Sequence, residues 1–207
     1  MRWYYGLAQH LIKFILKCLW GFKVEGKENI CKQNGAIIAS NHRSYVDPPV
    51  LGAAVPKELY FLAKRELFEN RLFGWLISKL NAVPINRDRI DKKGLKRAVE
   101  ILNQGNLLLV FPEGTRSRKD EFLEPKLGIG KLALEAEVPI VPAFINNTRH
   151  FLKSLFRSER VTVSFGEPLD LNHRRAFPKN KEGYQKIADE VMSRIKKLRE
   201  ETKAKGI

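Results

Sequence analysis

One short run of apolar residues restricts the possible folds of this chain more than any other feature. Residues 107–111 are apolar without interruption (Leu-Leu-Leu-Val-Phe) and lead directly into a polar turn that contains a glycine. A run this short and uniformly apolar is typical of a strand buried on both faces, as in parallel sheets covered by helices. Residues 36–39 form a second run of the same kind. The sequence therefore predicts an α/β fold whose strands end in polar turns.

The segments around these runs have the periodicities of helices and further strands. The predicted helices cover residues 67–80, 90–104, 125–137 and 182–203. The additional predicted strands cover residues 22–25, 59–63, 138–145 and 161–166. A chain of 207 residues is long enough for one sizeable core. We therefore predict a single α/β domain over residues 23–207, with a mixed, largely parallel central sheet flanked by helices.

Residues 1–22 are predicted to form a separate element, an amphipathic helix that contacts a membrane. Aromatic residues stand near both ends of this segment, and no acid precedes Glu25. Lys13 and Lys17 interrupt its apolar residues, whereas a transmembrane helix needs about 20 predominantly apolar residues. Bases on one side and aromatic residues at the ends suit an interfacial helix instead. Packing of the apolar side on the domain core is the alternative, and one helix can do both.

The charge balance predicts an anionic partner. Lys and Arg number 38 against 23 acids, which gives a formal net charge of +15. Nucleic acid, an anionic membrane surface and a phosphorylated substrate all fit this charge. We predict no nucleic-acid partner, because the aromatic residues are concentrated in the first helix and no binding motif is recognisable. Cys18 and Cys31 lack metal-ligand spacing and suggest reduced thiols in a cytosolic setting, and no residue cluster calls for a metal.

The turn after residues 36–39 holds the first candidate catalytic residues, His42 and Asp47. On a continuous helix, side chains five positions apart point about 140° away from each other. Pro48 and Pro49 instead favour a helix with Asp47 as its N-cap, which leaves His42 in the preceding turn. Such a turn can fold the carboxylate onto one ring nitrogen and leave the other as a base. Equally open from this stretch alone is that Asp47 only caps the helix and His42 fills the turn.

The turn after residues 107–111 holds a second group of candidates, Glu113, Gly114, Thr115 and Arg116. Gly114 lets backbone amides approach a ligand closely. Thr115 offers a hydroxyl, and Arg116 offers the fork geometry that suits phosphate. Glu113 is expected to orient Arg116 or to bind a substrate hydroxyl. An ordinary charged turn after a strand is the alternative to this predicted binding site.

Both turns also carry a resemblance. His42 followed by four residues and Asp47 is similar to the first signature of the glycerolipid acyltransferases, the 1-acylglycerol-3-phosphate acyltransferase family. Phe-Pro-Glu-Gly-Thr-Arg-Ser at 111–117 matches the third signature of that family residue for residue. Val-Pro-Ile-Val-Pro at 138–142 resembles the fourth. The signatures stand in the family's order and cover residues 41–142.

The second signature is a partial match. It is an apolar stretch that ends in Arg87, although Pro84 and Asn86 stand where the family has other residue types. Lys64 stands where the family tends to place a lysine before a Glu-Leu pair. For Lys64 and Arg87 the alternative is a solvated surface cation, the usual fate of such residues.

The resemblance implies transfer of an acyl chain to the free sn-2 hydroxyl of lysophosphatidic acid, giving phosphatidic acid. In this hypothesis His42, paired with Asp47, removes the hydroxyl proton, and the alkoxide attacks an acyl thioester directly. A covalent acyl-enzyme is not indicated, because the chain has no G-x-S-x-G elbow. The donor is expected to be an acyl-carrier-protein or coenzyme A thioester, a co-substrate beside which no cofactor is expected. The predicted acceptor-binding residues are Lys64, Arg87, Glu113, Gly114, Thr115 and Arg116.

We accordingly expect a peripheral protein on the cytoplasmic face of the cell membrane, bound to an anionic membrane surface. Two alternatives to this function are open. One is an acyltransferase for another lysophospholipid or glycerolipid acceptor. The other is a non-catalytic membrane-binding module, although such a module would need neither of the two polar turns.

Overall fold

The computed structural model describes residues 2–31, 35–86, 91–149, 151, 160–171 and 177–206. Its helices are α1 (Trp3–Trp20), α2 (Glu28–Cys31), α3 (Asp47–Ala54), α4 (Arg71–Lys79), α5 (Lys92–Asn103), α6 (Gly128–Ala136) and α7 (Lys181–Ala204), with a 3₁₀ turn at Arg65–Phe68. Its strands are β1 (Lys23–Glu25), β2 (Ala36–Ser40), β3 (Leu59–Lys64), β4 (Ala82–Ile85), β5 (Leu107–Val110), β6 (Ile140–Asn146) and β7 (Thr162–Phe165).

These strands form one sheet in the order β1-β7-β6-β2-β5-β3-β4. Neighbouring strands are parallel except β6 and β7, which are antiparallel. β2 lies between β6 and β5, and every residue of β2 is buried. Burial on both faces explains why this strand is apolar almost throughout rather than alternating. The predicted α/β fold with a mixed, largely parallel sheet is confirmed.

Helices cover both faces of the sheet, and successive residues of a strand contribute to opposite layers. Ile37 and Ala39 pack in one layer with residues of α5, α6 and α7. Ile38, between them, packs in the other layer with residues of α1 and α3. Because helices cover both faces, the turns that follow the parallel strands lie at the carboxyl edge of the sheet. Open α/β sheets bind ligands outside this edge, and both candidate turns lie there.

α1 packs on the domain and also exposes an apolar face. Leu16 and Trp20 are buried in the layer that contains α3, while Trp3, Leu7 and Phe14 are exposed. The predicted alternative of core packing is therefore found, and it accounts for only part of the apolar surface of α1. No helix in the described part of the chain is long and apolar enough to cross a membrane.

The helix predicted over residues 67–80 is divided in the structure. The 3₁₀ turn Arg65–Phe68 comes first, and α4 begins only at Arg71. Asn70 ends the turn because its side chain caps α4, accepting a hydrogen bond from the Phe73 amide at 3.0 Å. Gly74 permits the close packing of the two pieces, since a Cβ there would lie 2.9 Å from Phe68 Cα. Periodicity cannot detect this break, because both pieces keep helical spacing.

Candidate active site

The turn between β2 and α3 is organised around the Asp47 carboxylate. Its Oδ2 accepts hydrogen bonds from the backbone amides of Arg43 and Ser44, both at 2.7 Å, and from Nδ1 of His42 at 2.8 Å. Asp47 is fully buried. The sequence predicted that this carboxylate would fold onto His42, and the structure confirms the contact.

The prediction that Asp47 is the N-cap of α3 is wrong. Asp47 is the first residue of the helix, and Val46 is its N-cap. An N-cap at Asp47 would accept a hydrogen bond from the amide two or three residues on, but Pro49 has no N–H and the Val50 amide donates to the Val46 carbonyl at 3.1 Å. The carboxylate therefore turns back and caps the preceding turn instead.

His42 presents one ring nitrogen to a carboxylate and leaves the other available. Its ring stacks on Phe111, with centroids 3.8 Å apart and an interplanar angle of 11°. Because a carboxylate only accepts hydrogen bonds, Nδ1 is the donor, and in the neutral imidazole Nε2 then has a free lone pair. Nε2 has no hydrogen-bond partner among the residues that the structure describes. This arrangement suits a general base whose tautomer and orientation are fixed.

Residues of the turn after β5 form hydrogen bonds with both backbone groups of His42, its amide and its carbonyl. Oε1 of Glu113 accepts a hydrogen bond from the His42 amide at 3.1 Å, and Oε2 accepts one from the Leu123 amide at 2.8 Å. The Ser117 amide donates to the His42 carbonyl at 2.9 Å. Glu113 is buried, with 1% of its surface exposed. Its carboxylate thus positions the turn that carries His42, whereas the sequence led us to expect contact with Arg116 or with substrate.

The Arg116 guanidinium stacks on the ring of Tyr45, a residue of the turn between β2 and α3. Its guanidinium carbon is 3.4 Å from the ring centroid of Tyr45, which is 74% exposed. Such cation–π stacking restrains the guanidinium while leaving its N–H edge available. Arg116 is only partly buried, and a ligand can therefore reach that edge.

Gly114 has the backbone conformation that the turn requires. Its φ is +70°, and a Cβ there would lie 2.8 Å from Cδ of Lys126. Thr115 beside it is exposed. The two residues therefore present backbone and hydroxyl groups at the edge of the sheet, next to Arg116.

Comparison with known proteins identifies the family. The acyltransferase family profile matches residues 21–146, a span that includes both turns. The chain belongs to the acyltransferase family. It is therefore an enzyme of the O-acyltransferase class.

Acyltransferases of known sequence and structure resemble most of this chain. The 1-acyl-sn-glycerol-3-phosphate acyltransferase of Bacillus subtilis is 31% identical over 94% of this chain and 96% of that protein. The enzyme of the same name from Streptococcus pneumoniae is 34% identical over 81% of this chain and 61% of that protein. The crystal structure of the 1-acyl-sn-glycerophosphate acyltransferase from Thermotoga maritima has a TM-score of 0.75 and 32% identity, covering 97% of this chain and 80% of that one.

Of the remaining predicted site residues of this acyltransferase, Lys64 lies in the described part of the chain. Lys64 ends β3, which pairs with β5, and its Nζ is 2.9 Å from Oε1 of Glu66. This places Lys64 at the same edge of the sheet as Arg116. Arg87 lies outside the described residues, just beyond the end of β4 at Ile85.

Sequence analysis missed Tyr45 and the positioning role of Glu113. Both contacts cross from the β2 turn to the β5 turn, and they depend on β2 and β5 being neighbours in the sheet. A signal for Glu113 was present, because a carboxylate directly after a buried strand needs partners. The amide of His42 is one of those partners, and its place 71 positions earlier in the chain could not be inferred from local pattern.

Proposed function

We propose that this acyltransferase transfers an acyl chain from an acyl thioester to the free sn-2 hydroxyl of 1-acylglycerol-3-phosphate, giving phosphatidic acid. The acceptor is suggested by the names of its relatives, which are 1-acyl-sn-glycerol-3-phosphate acyltransferases. One observation carries the mechanism: Nδ1 of His42 lies 2.8 Å from Oδ2 of Asp47, and Nε2 is left without a protein partner among the described residues.

In the proposed reaction, Nε2 of His42 accepts the proton of the acceptor hydroxyl as that oxygen attacks the thioester carbonyl. The new C–O bond forms and the C–S bond breaks, and the proton on the imidazolium passes to the departing sulfur. The Asp47 carboxylate stabilises the imidazolium through the hydrogen bond that it accepts from Nδ1. The burial of Asp47 and the stacking of His42 on Phe111 support this role, since both fix the ring before substrate arrives.

We propose that Arg116 binds the phosphate of the acceptor, with Lys64 and Arg87 as further cations. A guanidinium matches the oxygens of a phosphate in a bidentate manner. Gly114 and Thr115 line the same turn, and Glu113 contributes by holding the turn in place. The donor is an acyl-carrier-protein or coenzyme A thioester, acting as a co-substrate.

We further propose that the enzyme is peripheral to the cytoplasmic face of the cell membrane. α1 exposes Trp3, Leu7, Leu11 and Phe14, and α4 exposes a second apolar group that includes Trp75. The two helices are neighbours, since Nζ of Lys79 in α4 lies 5.9 Å from the Tyr4 ring centroid in α1. Apolar patches beside basic residues suit an interface with anionic lipid.

Acyl transfer in detergent micelles tests this proposal. Acyl-carrier-protein and coenzyme A thioesters are offered separately with 1-acylglycerol-3-phosphate, and the lipid product is identified by mass spectrometry. Wild type is compared with His42→Ala and with the control His10→Ala, which removes a histidine of α1. We expect phosphatidic acid from wild type and His10→Ala, and a rate at least about 10²-fold lower from His42→Ala.

Circular dichroism and thermal unfolding show whether the His42→Ala variant is folded. A folded His42→Ala enzyme with an undiminished rate contradicts the base assignment. If wild type acylates another lysophospholipid in place of 1-acylglycerol-3-phosphate, the proposed acceptor is wrong. The faster of the two thioesters identifies the donor.

A further inference from the structure

A second basic site lies beside the catalytic turn, on the side of β2 that faces β6. It is a cavity of about 340 Å³, and its lining includes Asn41 and Arg43, the two residues that flank His42. β5, with the Arg116 turn, pairs with the other edge of β2. The catalytic turn therefore separates this cavity from the proposed acceptor-phosphate site.

The cavity is strongly positive. Its lining includes four cationic side chains and one carboxylate, that of Asp120. Asp120 accepts hydrogen bonds from Arg43 at 2.6 Å and from Arg199 at 3.2 Å, and its side chain is 80% exposed. It offsets only part of the positive charge, because it lies at the surface where water screens it. The cationic lining residues are Arg43, Arg149, Arg199 and Lys203.

Two of these cations are held in place before any ligand arrives. The guanidinium carbons of Arg43 and Arg199 lie 5.4 Å and 5.3 Å from the ring centroid of Phe122. Their side chains are 8% and 18% exposed. A shared aromatic ring and a shared carboxylate restrain both guanidinium groups, which lowers the entropy cost of binding an anion.

The cavity also contains buried donors that lack acceptors. Thr148 lines it and is 1% exposed, yet its Oγ1 has no hydrogen-bond partner within the described part of the chain. Nε of Arg43 is also buried and has no hydrogen-bond partner within the described part of the chain. Unsatisfied buried polar groups are rare because each costs free energy. Asn41 is already committed, since its amide bonds the backbone of Ile145 through both atoms.

An ion with several acceptor oxygens would satisfy both donors and the excess positive charge. We propose that this cavity binds a phosphate group, that of the acyl-thioester donor. The inference rests on the proposed function, which places the acceptor's phosphate at Arg116. Phosphate groups of donor and acceptor would then lie on opposite sides of His42, so that the thioester carbonyl and the acceptor hydroxyl meet at its ring.

Direct binding tests the proposal without any turnover. Calorimetric titration with 4′-phosphopantetheine, coenzyme A and unphosphorylated pantetheine compares wild type with Thr148→Val and Arg149→Gln/Arg199→Gln. Arg194→Gln, a surface change on the same helix as Arg199, is the control. We expect wild type and the control to bind both phosphorylated probes at least about tenfold more tightly than pantetheine. The double variant should lose this preference.

Thr148→Val separates binding from folding. Replacement of an unsatisfied hydroxyl by a methyl group should leave thermal stability unchanged or higher, while the affinity for 4′-phosphopantetheine falls several-fold. Equal binding of pantetheine and 4′-phosphopantetheine by wild type overturns the proposal. So does unchanged affinity for 4′-phosphopantetheine in a folded double variant.

Kinetics then distinguish the source of the phosphate. The double variant should raise the KM for the phosphorylated thioester about tenfold and leave the KM for the acceptor unchanged. If its acceptor KM or its binding to phosphatidylglycerol vesicles changes instead, the phosphate belongs to a lipid headgroup and the donor assignment is wrong. Because the calorimetric result does not require product, it stands even if the acceptor proposed above is incorrect.

Discussion

Glu113 holds His42 by its backbone and not by its ring: Oε1 of the carboxylate accepts a hydrogen bond from the His42 amide at 3.1 Å. The second oxygen binds the Leu123 amide, so both oxygens are engaged with N–H donors. This relationship distinguishes a positioning role for Glu113 from the substrate contact that its place in the sequence suggested. The two roles predict different kinetics.

Glu113→Gln should lower kcat with little change in acceptor KM. The amide has one acceptor oxygen and one NH₂ group, so it would set a donor against one of the two backbone amides. We expect a loss of about 1–3 kcal/mol in the free energy of unfolding and a fall in kcat of about tenfold or more. Steady-state kinetics and thermal unfolding measure both, with the exposed Glu124→Gln as control. A rise in acceptor KM at unchanged kcat would support substrate binding instead.

Tyr45 should affect acceptor binding through Arg116. Tyr45→Ala removes the ring under the guanidinium and frees the side chain of Arg116, so we expect acceptor KM to rise about threefold to tenfold. Tyr45→Phe keeps the ring and serves as the matched control, with KM close to wild type. Arg116→Ala should raise KM further, and Tyr45→Ala should add little to it. Additive effects of the two changes would mean that Tyr45 does not act through Arg116.

Glu58 should make stability depend on pH in acid. Burial by itself raises the pKa of this carboxyl, but hydrogen bonds from Arg2 and Asn81 outweigh it and lower the pKa from 4.5 to about 2. A carboxyl group whose pKa is lower in the folded state than in the unfolded chain stabilises the folded state at pH values above its unfolded pKa. The unscreened shift corresponds to roughly 3 kcal/mol, but the Arg2 side chain is 41% exposed and water screens the pair, so we expect about 1–2 kcal/mol. This stabilisation is lost as the pH falls from about 4.5 to about 2.

Thermal unfolding from pH 6 to pH 2 measures this contribution. Glu58→Gln should unfold at a lower temperature than wild type at pH 6, and the difference should shrink as the pH approaches 2. The exposed Glu182→Gln variant should follow wild type in acid more closely. A constant difference between Glu58→Gln and wild type across this range would mean that the ion pair with Arg2 carries no pH-dependent stability.

The exposed face of α1 should determine vesicle binding. Leu11→Glu places a charge where the proposal puts lipid, and we expect affinity for phosphatidylglycerol vesicles to fall about tenfold. Leu123→Glu makes the same change at an exposed leucine outside α1 and α4 and should bind normally. Trp75→Glu tests the part of the interface assigned to α4. Co-sedimentation with vesicles measures all three, and undiminished binding of Leu11→Glu contradicts membrane contact through α1.

The buried strands and the contact between His42 and Asp47 could be predicted from the sequence because their causes are local. The apolar run at 36–39 requires burial, and His42 and Asp47 lie only five positions apart in the turn that follows it. The cap at Asp47 was predicted wrongly because Pro49 has no N–H and the Val50 amide already donates to the Val46 carbonyl. The acceptor-binding roles of Lys64 and Thr115 remain predictions, and Arg87 lies outside the described residues.

The contacts that complete the site could not be predicted, because they depend on the order of strands in the sheet. Glu113 meets His42, and Arg116 meets Tyr45, only when β5 lies beside β2. The cavity beside Arg43 likewise needs α7 to bring Arg199 to Phe122. Periodicity and spacing identify elements and their ends, but many strand orders are compatible with one pattern.

The two hydrogen bonds to the amide and the carbonyl of His42 make the position of this residue depend on a completely formed sheet. Both partners of His42 in these bonds come from the turn that follows β5, a strand whose pairing with β2 lies at the centre of the sheet. A chain in which β5 has not yet docked beside β2 would lack both hydrogen bonds, and the position of the His42 ring would not be fixed. We therefore expect His42 to be positioned only in copies whose central sheet is complete.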